Sequence, residues 1–170
     1  MRASAMCIRD YLQSRHVWFE TLLHRPVPSA TKRARCIHVP GRRVAKGVLV
    51  KSPPGDALAV LPATHRIDLD RLAHVLGDRP VRLATEDEIE QVFVDCERGA
   101  LPPFGRLYGL RTVVDASLAG GAEIVFVANT RHEGMRMRYR DYEFVEAPVR
   151  ARFAVPIAPR RRRPSHRRAR

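Results

Sequence analysis

Apolar residues in this chain come in short runs broken by glycine, proline and charge. Val44-Ala45-Lys46-Gly47-Val48-Leu49-Val50 is almost continuously apolar, reaches Lys51, and reads as a buried strand. Ser52-Pro53-Pro54-Gly55-Asp56 makes a hairpin-like connection, and Ala57 to Leu61 returns as the next strand. Lys46 and Val60 are therefore expected on adjacent antiparallel strands. Upstream, residues 4–14 read as a short amphipathic helix with Met6, Ile8 and Leu12 on one face, and Val17 to Leu23 as a strand. Pro26 and Pro28 stop regular pairing in the loop after His24. Ser29 is placed to cap a brief helix over Thr31 to Cys36, and Pro40-Gly41 makes a turn.

Downstream, Asp68 caps a helix from Leu69 to Leu76 that stops at Gly77. Thr85 with Glu88 forms a capping box opening a second helix, Glu86 to Phe93. Arg111 to Val114 and Glu123 to Val127 are two further strands. Met135 to Tyr139 alternates apolar and basic residues, which fits an edge strand or a short helix, and Asp141 to Phe144 reads as a last turn on the core. Periodicity is lost from Pro148, and disorder is expected from Pro159. Strands and helices are interspersed, but several connections are too short for crossovers. The pattern predicts an α+β fold with a mixed sheet and helices over it. One domain over residues 1–150 and a basic tail over 151–170 are expected.

Apolar content of 45% and charged content of 29% are those of an ordinary globular protein, but the net charge of +13 is not. Residues 159–170 hold seven arginines and no acid, leaving a body of 24 basic against 18 acidic residues, a net of +6. The body is basic without its tail, which favours polyanions and nucleic acid above all. Cys7, Cys36 and Cys96 form no CxxC pair, so neither a zinc site nor a redox motif is suggested. Such a sparse, odd set fits a reducing, cytoplasmic setting. Asp95 and Glu97 flank Cys96 and disfavour its thiolate. No run of about eighteen apolar residues exists, so no membrane span and no membrane partner are expected.

Lys46 stands out because an amine beside a core strand is unfavourable unless an anion meets it. Two readings are open: it snorkels from a strand end to water, or it is aimed at a ligand. The stiff segment Gly99-Ala100-Leu101-Pro102-Pro103-Phe104-Gly105 is the second candidate. Its prolines donate no hydrogen bond, so its available donors are the amides of Ala100, Leu101, Phe104 and Gly105. No serine-hydrolase order, P-loop or dinucleotide fingerprint appears.

Taken in order, several segments resemble the YbaK and prolyl-tRNA-synthetase-associated domain family of free-standing aminoacyl-tRNA deacylases. They are Ile8-Arg9-Asp10-Tyr11-Leu12, Leu23 to Pro26, Ser29-Ala30-Thr31, Val39 to Lys46, Leu61-Pro62-Ala63, Leu83 to Glu86, Gly99 to Gly105, Val114-Asp115 and Ser117-Leu118. The resemblance implies a mixed, partly barrelled sheet surrounded by helices. It implies hydrolysis of the ester joining a wrong amino acid to tRNA, with alanine or cysteine mischarged on proline tRNA as substrate classes, and no metal or cofactor. Its partners would be tRNA and a synthetase such as prolyl-tRNA synthetase.

Lys46 matches the family's essential lysine, and Gly99, Ala100, Leu101 and Gly105 its catalytic loop. His24, Thr31, Pro102, Pro103, Phe104, Asp115, Ser117 and His132 are carried as substrate-binding candidates. One segment departs: the family's Phe-x-Ala-Gly-x-His reads here Phe126-Val127-Ala128-Asn129-Thr130-Arg131-His132. Asn129 replaces the glycine and His132 falls one residue late. A non-catalytic module that grips tRNA or a synthetase, and an interaction domain with an incidental basic tail, are the competing functions.

Overall fold

The two apolar runs around Lys46 build the centre of the molecule. In the computed structural model, which describes residues 6–53 and 55–158, the chain begins with α1 (Ile8–Ser14), β1 (Glu20–Leu23) and α2 (Ala30–Cys36). A 3₁₀ turn at Gly41–Arg43 leads into β2 (Ala45–Lys51), β3 (Ala57–Pro62), β4 (His65–Ile67), α3 (Leu69–Val75), β5 (Arg82–Leu83) and α4 (Glu86–Val92). After the glycine–proline loop and a second 3₁₀ turn at Gly105–Tyr108 come β6 (Arg111–Asp115), β7 (Glu123–Val127), β8 (Glu133–Arg138), α5 (Tyr139–Glu146), β9 (Val149–Ala151) and β10 (Ala154–Pro156).

Five strands pair in the order β5-β2-β3-β6-β9, with β5-β2-β3 antiparallel and β3-β6-β9 parallel. Every residue of β3 is buried because it is covered on both faces. Leu58 and Val60 enter one core with Phe93, Phe104, Phe126 and Tyr142, while Ala57, Ala59 and Leu61 enter a second with Leu72, Val113 and Phe153. The parallel steps are made by long crossovers, as parallel pairing requires. Three more strands form an antiparallel sheet, β1-β8-β7, and β4 pairs with β10. A lone parallel bridge from Val44 to Val125 ties the five- and three-stranded sheets together. Among the described residues no sheet closes on itself. The mixed sheet with helices is the predicted class.

The caps fall where their residue types place them. The Ser29 side chain accepts from Lys32 N at 3.2 Å, Asp68 from Arg71 N at 3.1 Å, and Thr85 and Glu88 complete a reciprocal capping box. The β2–β3 register sets Lys46 opposite Leu61 and Gly47 opposite Val60.

Four expectations are corrected. Residues 133–138 form neither an edge strand nor a helix: β8 is the middle strand of its sheet, with Met135 and Met137 buried and the arginines alternating outward. Asp141 to Phe144 belongs to a helix of eight residues rather than a turn. The chain past Pro148 forms two short strands, and Phe153 between them is fully buried. The first strand is confined to Glu20–Leu23. The basic tail from Pro159, and the start of the first helix at residues 4–5, lie outside the described residues. No helix among the described residues is long and apolar enough to cross a membrane.

Candidate functional site

A cavity of about 170 Å³ lies where the start of β2 meets α2 and the glycine–proline loop. Ala45, Lys46 and Gly47 line it from β2, Pro28, Ser29, Ala30 and Arg33 from the α2 side, Gly99 and Leu101 from the loop, and Val127 from the end of β7. The two features singled out in the sequence therefore share one cavity. Larger clefts elsewhere, one beside Lys51 and Arg82 and one beside Arg138 and Arg150, gather none of the predicted site residues.

Lys46 is half-buried, and burial lowers its pKa with no acidic group offsetting the shift. Arg33 was not anticipated. It projects from α2 with Ala34, is 3% exposed, and its Nε and Nη2 have no partner among the described residues. Desolvation pushes its pKa down to about 10, so it keeps its charge at neutral pH. A signal for it existed. Ala30, Arg33 and Ala34 fall at i, i+3 and i+4, so the arginine shares the helix face that the alanines bury. Lys32 and Arg35 beside it gave the segment the look of a solvated basic helix.

The loop is fixed from below. Phe104 is fully buried and packs edge-on against Phe126 and Tyr142, each at 5.2 Å between ring centroids. The Tyr142 hydroxyl donates to Pro103 O at 3.0 Å. Gly47 lets the loop close down on β2: a Cβ there would stand 3.4 Å from Pro102 O and 3.2 Å from Leu58 Cδ1.

Two of the predicted loop donors are already committed. Ala100 N donates to Glu97 O at 2.9 Å, and Gly105 N to Thr112 Oγ1 at 3.1 Å. Gly105 also lies away from the cavity, where a Cβ would meet Thr112 Oγ1 at 2.4 Å. Phe104 is an anchor in the core rather than part of the cavity wall. Of the four amides named from sequence, Leu101 is the one that lines the cavity and donates to no described residue.

Other candidates fall outside the cavity. Thr31 is exposed, and its hydroxyl reaches Ala63 O at 3.4 Å. His24 directs Nδ1 to Arg25 O at 2.8 Å, while its Nε2 is buried near Gly134 without a partner among the described residues. His132 is exposed, and its carbonyl accepts from His24 N at 2.9 Å. Asp115 is buried, and its carboxylate accepts from Ser117 N and Oγ, Phe153 N and Ala154 N at 2.5–3.0 Å. Burial raises its pKa, but these hydrogen bonds outweigh burial and the net shift is downward. Asp115 and Ser117 border a separate cleft with His65, Arg71 and Arg152.

Asn129 explains the altered segment. Its backbone takes φ +66°, the left-handed region that glycine enters freely and asparagine tolerates. Its side chain earns the position: Oδ1 accepts from Ile8 N at 3.1 Å, and Nδ2 reaches Asp95 at 3.0 Å and Tyr108 at 3.1 Å. Cys96 in this network is pushed up to about 11, chiefly by burial and further by the Asp95 charge, so it is a poor thiolate.

Residues 24–145 match the aminoacyl-tRNA editing domain family. The chain is 33% identical over 96 residues to the proline–tRNA ligase of Xanthomonas oryzae pv. oryzae (strain MAFF 311018), covering 56% of this chain and 17% of that protein. It is 27% identical over 124 residues to the proline–tRNA ligase of Lactobacillus gasseri, covering 73% of this chain and 20% of the ligase. The chain thus corresponds to about a fifth of the length of these curated relatives. Its fold is similar to that of a hypothetical protein, APE2540 (TM-score 0.80, 19% identity, 87% of this chain and 99% of that one). It is also similar to the fold of a candidate trans-editing enzyme for prolyl tRNA synthetase (TM-score 0.77, 20% identity, 87% and 94%). With the match spanning most of the chain and the fold agreeing, this protein belongs to the aminoacyl-tRNA editing domain family.

Proposed function

We propose that this domain hydrolyses the ester of mischarged aminoacyl-tRNA in trans, in the cytoplasm where such esters are made. The observation that carries the reading is the meeting of Lys46 with Gly99 and Leu101 in one small cavity whose lining, among the described residues, includes no acidic side chain. Lys46 supplies a compact positive charge for the phosphate of the terminal nucleotide, which fixes the ester in place. The Leu101 amide polarises the reacting carbonyl. Two prolines and the Phe104 and Tyr142 anchors hold that backbone still as charge develops, which is what an oxyanion donor needs.

The ester is already activated by its neighbouring ammonium group, so positioning and polarisation supply most of the acceleration. Water adds to the carbonyl, the carbon–oxygen bond to the ribose breaks, and the proton passes to the leaving ribose hydroxyl, freeing amino acid and tRNA. The other ribose hydroxyl of the terminal nucleotide assists the water. A cysteinyl ester has a second route: its own thiol attacks the carbonyl, the carbon–oxygen bond to the ribose breaks, the thiol proton passes to the ribose oxygen, and the amino acid leaves as a thiolactone that water then opens. The relatives named as proline–tRNA ligases support proline tRNA as the nucleic-acid part of the substrate and prolyl-tRNA synthetase as the neighbouring enzyme; alanine and cysteine as the amino acids removed follow from the family resemblance alone.

A panel of radiolabelled mischarged tRNAs, incubated with the wild type and with Lys46→Ala, tests this. Wild-type deacylation that disappears in the variant is expected. Tight tRNA binding with no deacylation of any ester would replace the enzyme with a binding module.

A further inference from the structure

The proposed reaction leaves Arg33 unused, yet Arg33 is the most enclosed charge on the cavity wall. It is 3% exposed, against the half-buried Lys46, and two of its guanidinium nitrogens are buried without an acceptor among the described residues. A charge taken from water with no partner is strongly unfavourable, and proteins rarely keep one without a use. The buried acids of this protein have donors from within, fully at Asp115 and for one of the two oxygens at Glu146. Asp115 has four donors, and Glu146 accepts from the Thr112 hydroxyl and from Arg106 N. The cavity wall offers Arg33 no carboxylate.

We propose that Arg33 binds an oxyanion of the tRNA end, as the second cation of the Lys46 cavity; this rests on reading that cavity as the tRNA-end site. The guanidinium presents a planar fork that matches two oxygens at once, where Lys46 acts as a point charge. An aminoacyl-tRNA end has two sources of such oxygens. The phosphodiester of the terminal nucleotide is present on every substrate. A side-chain carboxylate is present only on esters of acidic amino acids. The two cations also make the cavity hostile to the substrate's ammonium group unless an oxyanion lies between them and it, so anion binding is a condition of productive seating.

The test compares wild type, Arg33→Leu and Arg33→Lys in three measurements. These are the thermal midpoint, titration with 5′-AMP and with aspartate, and single-turnover deacylation of alanyl- and aspartyl-tRNA. Arg33→Leu removes an unmet buried charge, so its midpoint rises by several degrees. Its binding of the oxyanion probe weakens by about tenfold or more, and Arg33→Lys recovers part of the loss. Equal losses on 5′-AMP and on both esters identify the phosphodiester. A loss confined to aspartate and aspartyl-tRNA identifies the carboxylate. A lowered midpoint in Arg33→Leu, or binding and turnover of every probe within about twofold of wild type, overturns the proposal and makes Arg33 a packing residue. If the wild type deacylates nothing while 5′-AMP binding still depends on Arg33, the hydrolase reading fails and the oxyanion site stands.

Discussion

Asp115 and Arg33 are equally buried, each 3% exposed, and the protein treats them in opposite ways. Asp115 lies at the end of β6 with four donors turned toward it, and its hydrogen bonds join the β6 turn to the segment around Phe153. Arg33 lies beside a cavity with two nitrogens unmet. A saturated buried charge is part of the structure's own bonding. An unsaturated one, facing a cavity, is held ready for something the chain does not supply. Both residues border a cavity, so cavity lining alone would have ranked them together. The hydrogen-bond inventory separates them.

The largest effect expected from this contrast is on stability. Asp115→Ala strands two amides in the interior around Phe153, together with those of the Ser117 turn, and is expected to cost about 4 kcal/mol in chemical denaturation. Deacylation per folded molecule should change little. Loss of turnover without loss of stability would place Asp115 in the site after all.

Glu146 is the intermediate case, since one of its carboxylate oxygens is bonded and the other is buried without a partner among the described residues. Burial raises its pKa to about 7, against the hydrogen bonds from Thr112 and Arg106. The folded state therefore holds this proton between the unfolded value near 4.5 and about 7, where the unfolded chain releases it. The stability contributed is fully present below the unfolded value and is lost as pH rises through about 7. Relative to Glu146→Gln, the wild type should lose roughly 3 kcal/mol across that window. Parallel stability–pH curves would contradict the assignment.

A smaller effect is expected at Gly47. Alanine there crowds Leu58 Cδ1 at 3.2 Å, which must give by a few tenths of an ångström, and reaches the edge of ordinary contact with Pro102 O at 3.4 Å, so the loop above moves by less. The cost to stability should be about 1 kcal/mol, with kcat reduced more than KM is raised, because the displaced amide acts on the transition state. The smallest effect concerns the arginines beyond Pro159. Deleting residues 159–170 should raise KM for tRNA modestly and flatten its salt dependence while leaving kcat unchanged. An identical salt slope would remove the tail from binding.

Much of the fold was legible in local chemistry. Ser29, Asp68 and the Thr85–Glu88 pair mark helix starts because their side chains satisfy nearby amides whatever the tertiary context. The apolar runs of β2 and β3 mark the middle of the sheet because a strand covered on both faces has no polar face to show. The strands that were missed, β4, β5, β9 and β10, have two or three residues each, too few for alternation to show, and they exist because a partner strand is already there. β8 looked like an edge because its arginines alternate with methionines. It is central in pairing but covered on one face only, so the alternation was sound and the edge inference was not.

Of the site, Lys46 and the loop were legible because a charge in an apolar run and a doubled proline are anomalies in themselves. The loop's true donors were not legible. Ala100 and Gly105 are disqualified by partners at Glu97 and Thr112, which no spacing reveals. Arg33 was hidden by its basic neighbours. The Asn129 segment looked like a broken motif until its backbone angle showed an asparagine standing where a left-handed residue is required.

The most direct test of the account is single-turnover deacylation of mischarged proline tRNA by wild type and Lys46→Ala, with thermal midpoints measured on the same samples. The account predicts a fall in rate of about 100-fold or more with a midpoint unchanged or raised, since the amine is partly desolvated and serves substrate rather than fold. Equal rates, or a rate that falls only in step with the midpoint, would contradict it.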